Sequence, residues 1–311
     1  MSVGRTSHDI EIAAPADHVY AVVADAGAWP HTFHPTLHVE RTALDGGAER
    51  LQIWAEANGE VKSWTSRRDL DPVRRRVVFR QEVSSAPVAS MQGEWIVTAK
   101  DDSHSVLTLL HEFTAVDDDP DGLQWIFDAT ERNSTRELAD ISAVAQTYGR
   151  RRQLVFTFAD SIVIHGSAAA AYDFLYEAKL WGERLPHVGR IDLVENVPNI
   201  QTMSMQTVTK DGSSHVTESI RICFPPERIV YKQTKAPSMM DAHTGSWEFT
   251  AGDGSVTVTS YHTVVLNEPA IPSVLGADAT IEDAKKFIRN AAGGNSAQTL
   301  ALAKKFVEGS P

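Results

Sequence analysis

The sequence predicts an α+β protein built from two tandem copies of one domain. Each copy is expected to be a curved antiparallel β-sheet wrapped around a long C-terminal helix, with an internal cavity between them. Three observations carry this. The chain repeats itself once: "QGEWIVTAKDDSHSVLTLLHEF" from Gln92 is echoed by "TGSWEFTAGDGSVTVTSYHTV" from Thr244, bringing Trp95 onto Trp247 and His111 onto His262. Within each copy, runs of alternating apolar and polar residues separated by turn signals read as antiparallel strands. A long stretch with helical apolar spacing then closes the unit. The seam falls near "YGRRRQ" (148–153), giving domains 1–150 and 151–311.

The elements follow in order. Residues 8–12 alternate as a short strand, and Pro15 opens a helix striped by Val19, Val22 and Val23. Pro30 and Pro35 bracket a short turn or helix. Strands are expected at 37–43, 50–55, 62–69, 76–83, 92–99 and 106–115, parted by "LDGGAE", "ANGE", "DP" and "KDDS". A helix over 121–145 should turn Leu123, Ile126, Phe127, Leu138, Ile141 and Val144 inward. The order recurs downstream. "IEIAAPADHVYAVVADAGAW" from Ile10 matches "IVIHGSAAAAYDFLYEAKLW" from Ile162, and Asn133-Ser134 matches Asn295-Ser296. "GGNS" (293–296) is expected to break the last helix.

Composition excludes several classes. With 29 Lys and Arg against 41 Asp and Glu, the formal charge of −12 argues against broad nucleic-acid or anionic-lipid binding. The single cysteine, Cys223, excludes an internal disulfide and suits a reducing cytoplasm. The N-terminus lacks the apolar core of a signal peptide, and no apolar run approaches membrane-spanning length. The expectation is a soluble cytoplasmic protein.

In "SWTSRRDL", alternation puts Trp64, Ser66 and Arg68 on one face and Thr65, Arg67 and Asp69 on the other; Thr217, Ser219 and Arg221 share a face in the second copy. An arginine facing an apolar interior is costly unless partnered, and its planar fork of donors suits a ketone or enolate oxygen. An outward arginine in a surface ion pair is the alternative. His111 falls on the face of Leu107, Leu109 and Phe113, and His262 lies with Val258, Ser260 and Val264. Each reads either as a satisfied core histidine or as an acid–base group bordering a cavity. Trp29, Phe33, Trp54, Trp64, Met91 and Trp95, with Trp181, Met203, Met205 and Trp247, are core residues by default; a subset is expected to wall a flat ligand. "HTFHPTLH" clusters His31, His34 and His38, but Pro35 prevents their alignment on a helix and no carboxylate or cysteine completes a site, so no metal is expected. His34 and His187 are candidates for a cavity mouth. The basic runs 67–76 and 149–153 read as solvated faces or as docking sites for an acidic partner. Neither G-x-G-x-x-G nor G-x-x-x-x-G-K-[ST] occurs.

Together "AWPHTF" (28–33), "WTSRRDLDPVRRRVVFRQ" (64–81), "MQGEWIV" (91–97) and "LLHEF" (109–113), with "LWGERLPHV" (180–188), "SIR" (219–221) and "SYHT" (260–263), resemble the polyketide aromatase/cyclases of bacterial type II pathways. These belong to the helix-grip fold of the START/Bet v 1-like superfamily. The duplicated form resembles the didomain members acting on chains reduced at C9. The resemblance implies first-ring aldol cyclisation, dehydration, or both, on a poly-β-ketone carried by an acyl carrier protein, without metal or redox cofactor. It implies catalytic roles for Arg68, His111, Arg221 and His262. Trp29, Phe33, Trp64, Ser66, Met91, Trp95, Leu109, Trp181, Ser219, Trp247 and Ser260 are expected to contact substrate. The alternatives are a non-catalytic carrier of a hydrophobic small molecule, since the fold is shared with carriers, and a chaperone-like cyclase with no acid–base role.

Overall fold

A computed structural model describes residues 2–57, 59–208, 212 and 214–309. The chain divides into two compact units, Met1–Arg151 and Arg152–Pro311.

In the first unit, β1 (Gly4–Ile12) leads to α1 (Ala16–Ala24) and the short α2 (Trp29–Thr32). A meander follows: β2 (Thr36–Ala43), β3 (Ala48–Ala57), β4 (Glu60–Asp71), β5 (Arg76–Val83), β6 (Val88–Ala99) and β7 (Ser105–Ala115). All seven strands form one antiparallel sheet in the order β1-β7-β6-β5-β4-β3-β2, closed by α3 (Pro120–Gln146). Asp119 caps α3 by accepting from the amides of Asp121 and Gly122, and Pro120 occupies the first turn, where no amide donor is needed. In the "ANGE" turn between β3 and β4, Asn58 lies outside the described residues.

α4 (Tyr148–Leu154) spans the boundary. The second unit repeats the plan with β8 (Val155–His165), α5 (Ala168–Tyr176), α6 (Trp181–Arg184), β9 (Val188–Val197), β10 (Ile200–Val208), β11 (Ser214–Phe224), β12 (Arg228–Lys235), β13 (Met240–Gly252) and β14 (Ser255–Leu266). Its sheet order is β8-β14-β13-β12-β11-β10-β9, followed by α7 (Ile271–Leu275) and α8 (Ile281–Gly309).

Val19, Val22 and Val23 of α1 pack with Leu107 and Leu109 of β7 and Leu138 and Ile141 of α3. This core and a second cluster of Phe113, Ala115 and Ile126 leave part of the space between sheet and helix unfilled. Two expectations need correction. Phe127 is 38% exposed, because Ile126 takes the inward position and the next helical residue points about 100° away. α8 runs through Gly293 and Gly294 without a break. A Cβ at Gly293 would collide with the Arg289 side chain, which donates to Asp160 Oδ1 at 2.7 Å, so the glycine makes room for an ion pair. No helix among the described residues is long and apolar enough to cross a membrane.

Candidate active site

Each unit holds a cavity between sheet and closing helix, about 250 Å³ in the first and about 330 Å³ in the second. Strand alternation, which sends every second side chain inward, delivers most of the residues singled out above. Trp29, Phe33, Trp64, Ser66, Arg68, Met91, Trp95 and His111 line the first cavity. Trp181, Ser219, Arg221, Trp247 and His262 line the second, as does His187, which bonds Gln298 Oε1 at 3.0 Å.

Two expected contact residues do not line a cavity. Leu109 is fully buried in the packed core of the first unit, two residues short of where β7 reaches open space at His111. Ser260, also fully buried, instead bonds His262 Nε2 at 3.1 Å. His34 is exposed and lies outside the first cavity's lining, its amide donating to Asp140. Among the described residues no group of three or more His, Cys, Asp or Glu side chains is placed to hold a metal ion. In the basic run 67–76, Arg67 pairs with Asp69, Arg74 with Asp71, Arg75 with Asp17 and Arg76 with Glu94.

The two arginines sit in homologous places with different partners. Arg68 lies over the Trp29 ring at 4.7 Å and Arg221 over Trp181 at 5.2 Å. Arg68 Nε donates to Glu49 Oε1 at 2.8 Å, Nη1 to Val23 O at 3.0 Å and Nη2 to Ala24 O at 2.7 Å. Glu49 stands opposite Arg68 across the β3–β4 ladder. Opposite Arg221, on the β10–β11 ladder, the residue is Gln201. Gln201 Nε2 turns away to Glu195 Oε2 at 2.8 Å. Arg221 Nη2 donates to Leu175 O at 2.6 Å, while the buried Nη1 finds no acceptor among the described residues. Desolvation lowers both guanidinium pKa values, opposed for Arg68 by the Glu49 charge.

The two histidines also differ. Burial pushes each ring down to about 4, so both are neutral at pH 7. His111 meets the edge of Phe79, ring centroids 5.5 Å apart, and its Nδ1 is unpartnered among the described residues. His262 stacks on Phe158 at 4.6 Å and is held on both nitrogens. Nδ1 lies 3.1 Å from the Tyr231 hydroxyl and 3.0 Å from His243 Nε2; Nε2 lies 2.8 Å from Ser296 Oγ. Tyr231, His243 and Ser296 all line the second cavity. By ladder register, Tyr231 stands where the first unit has Phe79, and His243 where it has Met91. Gly93 and Gly245 make room for those aromatic rings, since a Cβ at either would strike the ring and a neighbouring carbonyl oxygen.

Glu137 was missed by sequence reasoning. It lines the first cavity from α3, and burial, with the Asp140 charge adding, pushes its carboxyl up to about 7. The available signal was a polar stripe on the inward face of α3, Thr130, Ser134 and Glu137, spaced as one helical face.

The first unit matches the family described as "Polyketide cyclase / dehydrase and lipid transport" over residues 4–146. The chain is 44% identical over 308 residues to the granaticin polyketide synthase bifunctional cyclase/dehydratase of Streptomyces violaceoruber, covering 99% of this chain and 95% of that one. It is 41% identical over 306 residues to the actinorhodin polyketide synthase bifunctional cyclase/dehydratase of Streptomyces coelicolor, covering 95% and 94%. Among solved structures, the di-domain ARO/CYC BexL from the BE-7585A biosynthetic pathway superposes with a TM-score of 0.86 at 48% identity, covering 99% of this chain and all of that one. The di-domain ARO/CYC StfQ from the steffimycin pathway gives 0.84 at 33% identity, covering 98% of both.

Proposed function

The chain belongs to the polyketide cyclase/dehydratase family, and on that premise we propose that it closes and dehydrates the first ring of a poly-β-ketone delivered as a thioester of an acyl carrier protein, with water eliminated in the second cavity. The substrate class is a chain already reduced at C9, which supplies the hydroxyl that leaves. The observation that carries the assignment is the pairing, in one cavity, of Arg221 with a spare Nη1 and His262 held by hydroxyls on both nitrogens.

The chemistry follows from those groups. Neutral His262, through the Ser296 hydroxyl, takes the proton from the carbon between the carbonyl and the carbinol. The electron pair moves onto the carbonyl oxygen, where Arg221 Nη1 donates a charge-assisted hydrogen bond to the forming enolate. The enolate collapses, the C–O bond to the hydroxyl breaks, and the leaving oxygen takes a proton and departs as water. One proton is removed and one returned, and no electrons are exchanged with a cofactor. Trp181 and Trp247 give flat walls to the planar product.

The first cavity suits ring closure. Its aromatic and aliphatic walls fold a flexible chain so that a methylene meets a distant ketone. Glu137 and His111, which both line this cavity, carry the proton from that methylene to the new alkoxide. Arg68, committed to Glu49 and two backbone carbonyls, shapes the wall. Enclosure in the cavity shields the reactive poly-β-ketone from water and its side reactions.

Reconstitution with a minimal synthase and ketoreductase tests this. His262→Ala should accumulate a cyclised product heavier by one water, and His111→Ala should alter ring closure instead. An aromatised product made at the normal rate by His262→Ala would overturn the assignment.

A further inference from the structure

His243 belongs to none of the roles above, and Met91 holds its place in the first unit. It lies 5% exposed between Gln233 and His262. Gln233 Oε1 is 2.9 Å from His243 Nδ1, and His243 Nε2 is 3.0 Å from His262 Nδ1. The two imidazoles are near-parallel, 19° between planes with centroids 5.2 Å apart.

With the Gln233 amide oxygen turned to His243, these contacts favour one arrangement of protons. An amide oxygen only accepts, so His243 Nδ1 carries the hydrogen. Nε2 of a neutral ring is then an acceptor, so the hydrogen between the rings belongs to His262 Nδ1. His262 Nε2 is left as a lone pair facing the hydroxyls of Ser296 and Ser260, at 2.8 and 3.1 Å. Tyr231 O, 3.1 Å from the same Nδ1, then shares that donor. In this arrangement Nε2 is the basic nitrogen of His262. Across the ring, from β8 and α8, Asp160 and Arg289 pair at 2.7 Å and act on His262 with opposite signs.

We propose that His243, oriented by Gln233, is a positioning residue and proton reservoir for His262. It holds His262 as the Nδ1–H tautomer and takes over the proton once His262 Nε2 has accepted one from substrate. In that step a hydrogen enters at His262 Nε2 and another leaves from Nδ1 to His243 Nε2. His262 returns to neutral, and His243 becomes an imidazolium donating to Gln233 Oε1 and back to His262. The reverse transfer supplies the proton for the departing hydroxyl. No electrons move, and no co-reactant is needed. The inference rests on the second cavity being the dehydrating one.

The test uses the full chain with ¹⁵N-labelled histidine at pH 7. Long-range ¹H–¹⁵N spectra, with His262 assigned by its loss in His262→Gln, should show the Nδ1–H tautomer. In His243→Met, His262 should become a tautomer mixture, and kcat for dehydration should fall at least about tenfold while KM stays within about twofold. An Nε2–H tautomer in the unaltered protein overturns the inference whether or not the variant folds. Dehydration lost in His262→Gln but unchanged in His243→Met overturns the reservoir alone. Dehydration retained in His262→Gln overturns the reading of the cavity and the reservoir with it.

Discussion

Arg68 and Glu49 form an ion pair shut off from water on both sides, with side-chain exposures of 2% and 7%. Two charges so deeply buried hold each other in place, and removing one strands the other. Glu49→Gln should therefore cost about 3–5 kcal/mol of stability in urea denaturation. A cost below about 1 kcal/mol, the worth of an exposed pair, would show that the pair does not brace the first unit.

The matching ladder position in the second unit allows the converse test. Gln201→Glu puts a carboxylate opposite Arg221, where the first unit has Glu49. It should quench dehydration by at least about tenfold, since the enolate then competes with a resident anion for the guanidinium. Thermal unfolding should show the fold retained. Full activity in Gln201→Glu would mean that Arg221 does not hold the oxygen.

Tyr231→Phe removes one hydroxyl from a site whose counterpart is Phe79. The fold should tolerate it within about 1 kcal/mol. Steady-state assay of dehydration should show kcat reduced by about 10- to 100-fold. A variant as active as the parent would confine Tyr231 to packing.

The depressed histidines predict an acid limb in stability. His262 titrates near 4 when folded and near 6.5 when unfolded, so the unfolded chain binds more protons in between. Stability is fully present above about 6.5 and falls as pH drops towards 4, with about 2 kcal/mol lost by pH 5 from this ring. His262→Gln should flatten that slope in urea titrations at pH 7 and pH 5. Glu137 has the opposite sign: its carboxyl is raised from 4.5 to about 7, so its contribution is fully present below about 4.5 and is lost as pH rises to about 7, and Glu137→Gln should steepen the fall in stability between pH 7 and pH 5. Slopes unchanged in both variants would contradict the burial assigned to these groups.

The fold was legible because duplication places Trp95 and Trp247, Arg68 and Arg221, and His111 and His262 in one register, and alternation then chooses the inward face. Glu49 was also legible in principle, since in "AERLQIW" it alternates with Leu51 and Ile53, both buried. Glu137 was hidden by a helical face that mixes it with exposed neighbours. The network around His262 was not legible. Tyr231, His243 and Ser296 come from β12, β13 and α8, and the distances among them depend on how α8 lies across the sheet, which no local pattern encodes. Reading "GGNS" as a helix break failed for a related reason: the glycine answers to Arg289 and Asp160 rather than to backbone propensity.

The most direct test of the account is a crystal structure of the full chain with an aromatic ketone that mimics the dehydrated ring. The ketone oxygen should lie within about 3.2 Å of Arg221 Nη1, with the Ser296 or Tyr231 hydroxyl in reach of the neighbouring carbon. A ligand seated only in the first cavity, or one whose oxygen points away from Arg221, would contradict it.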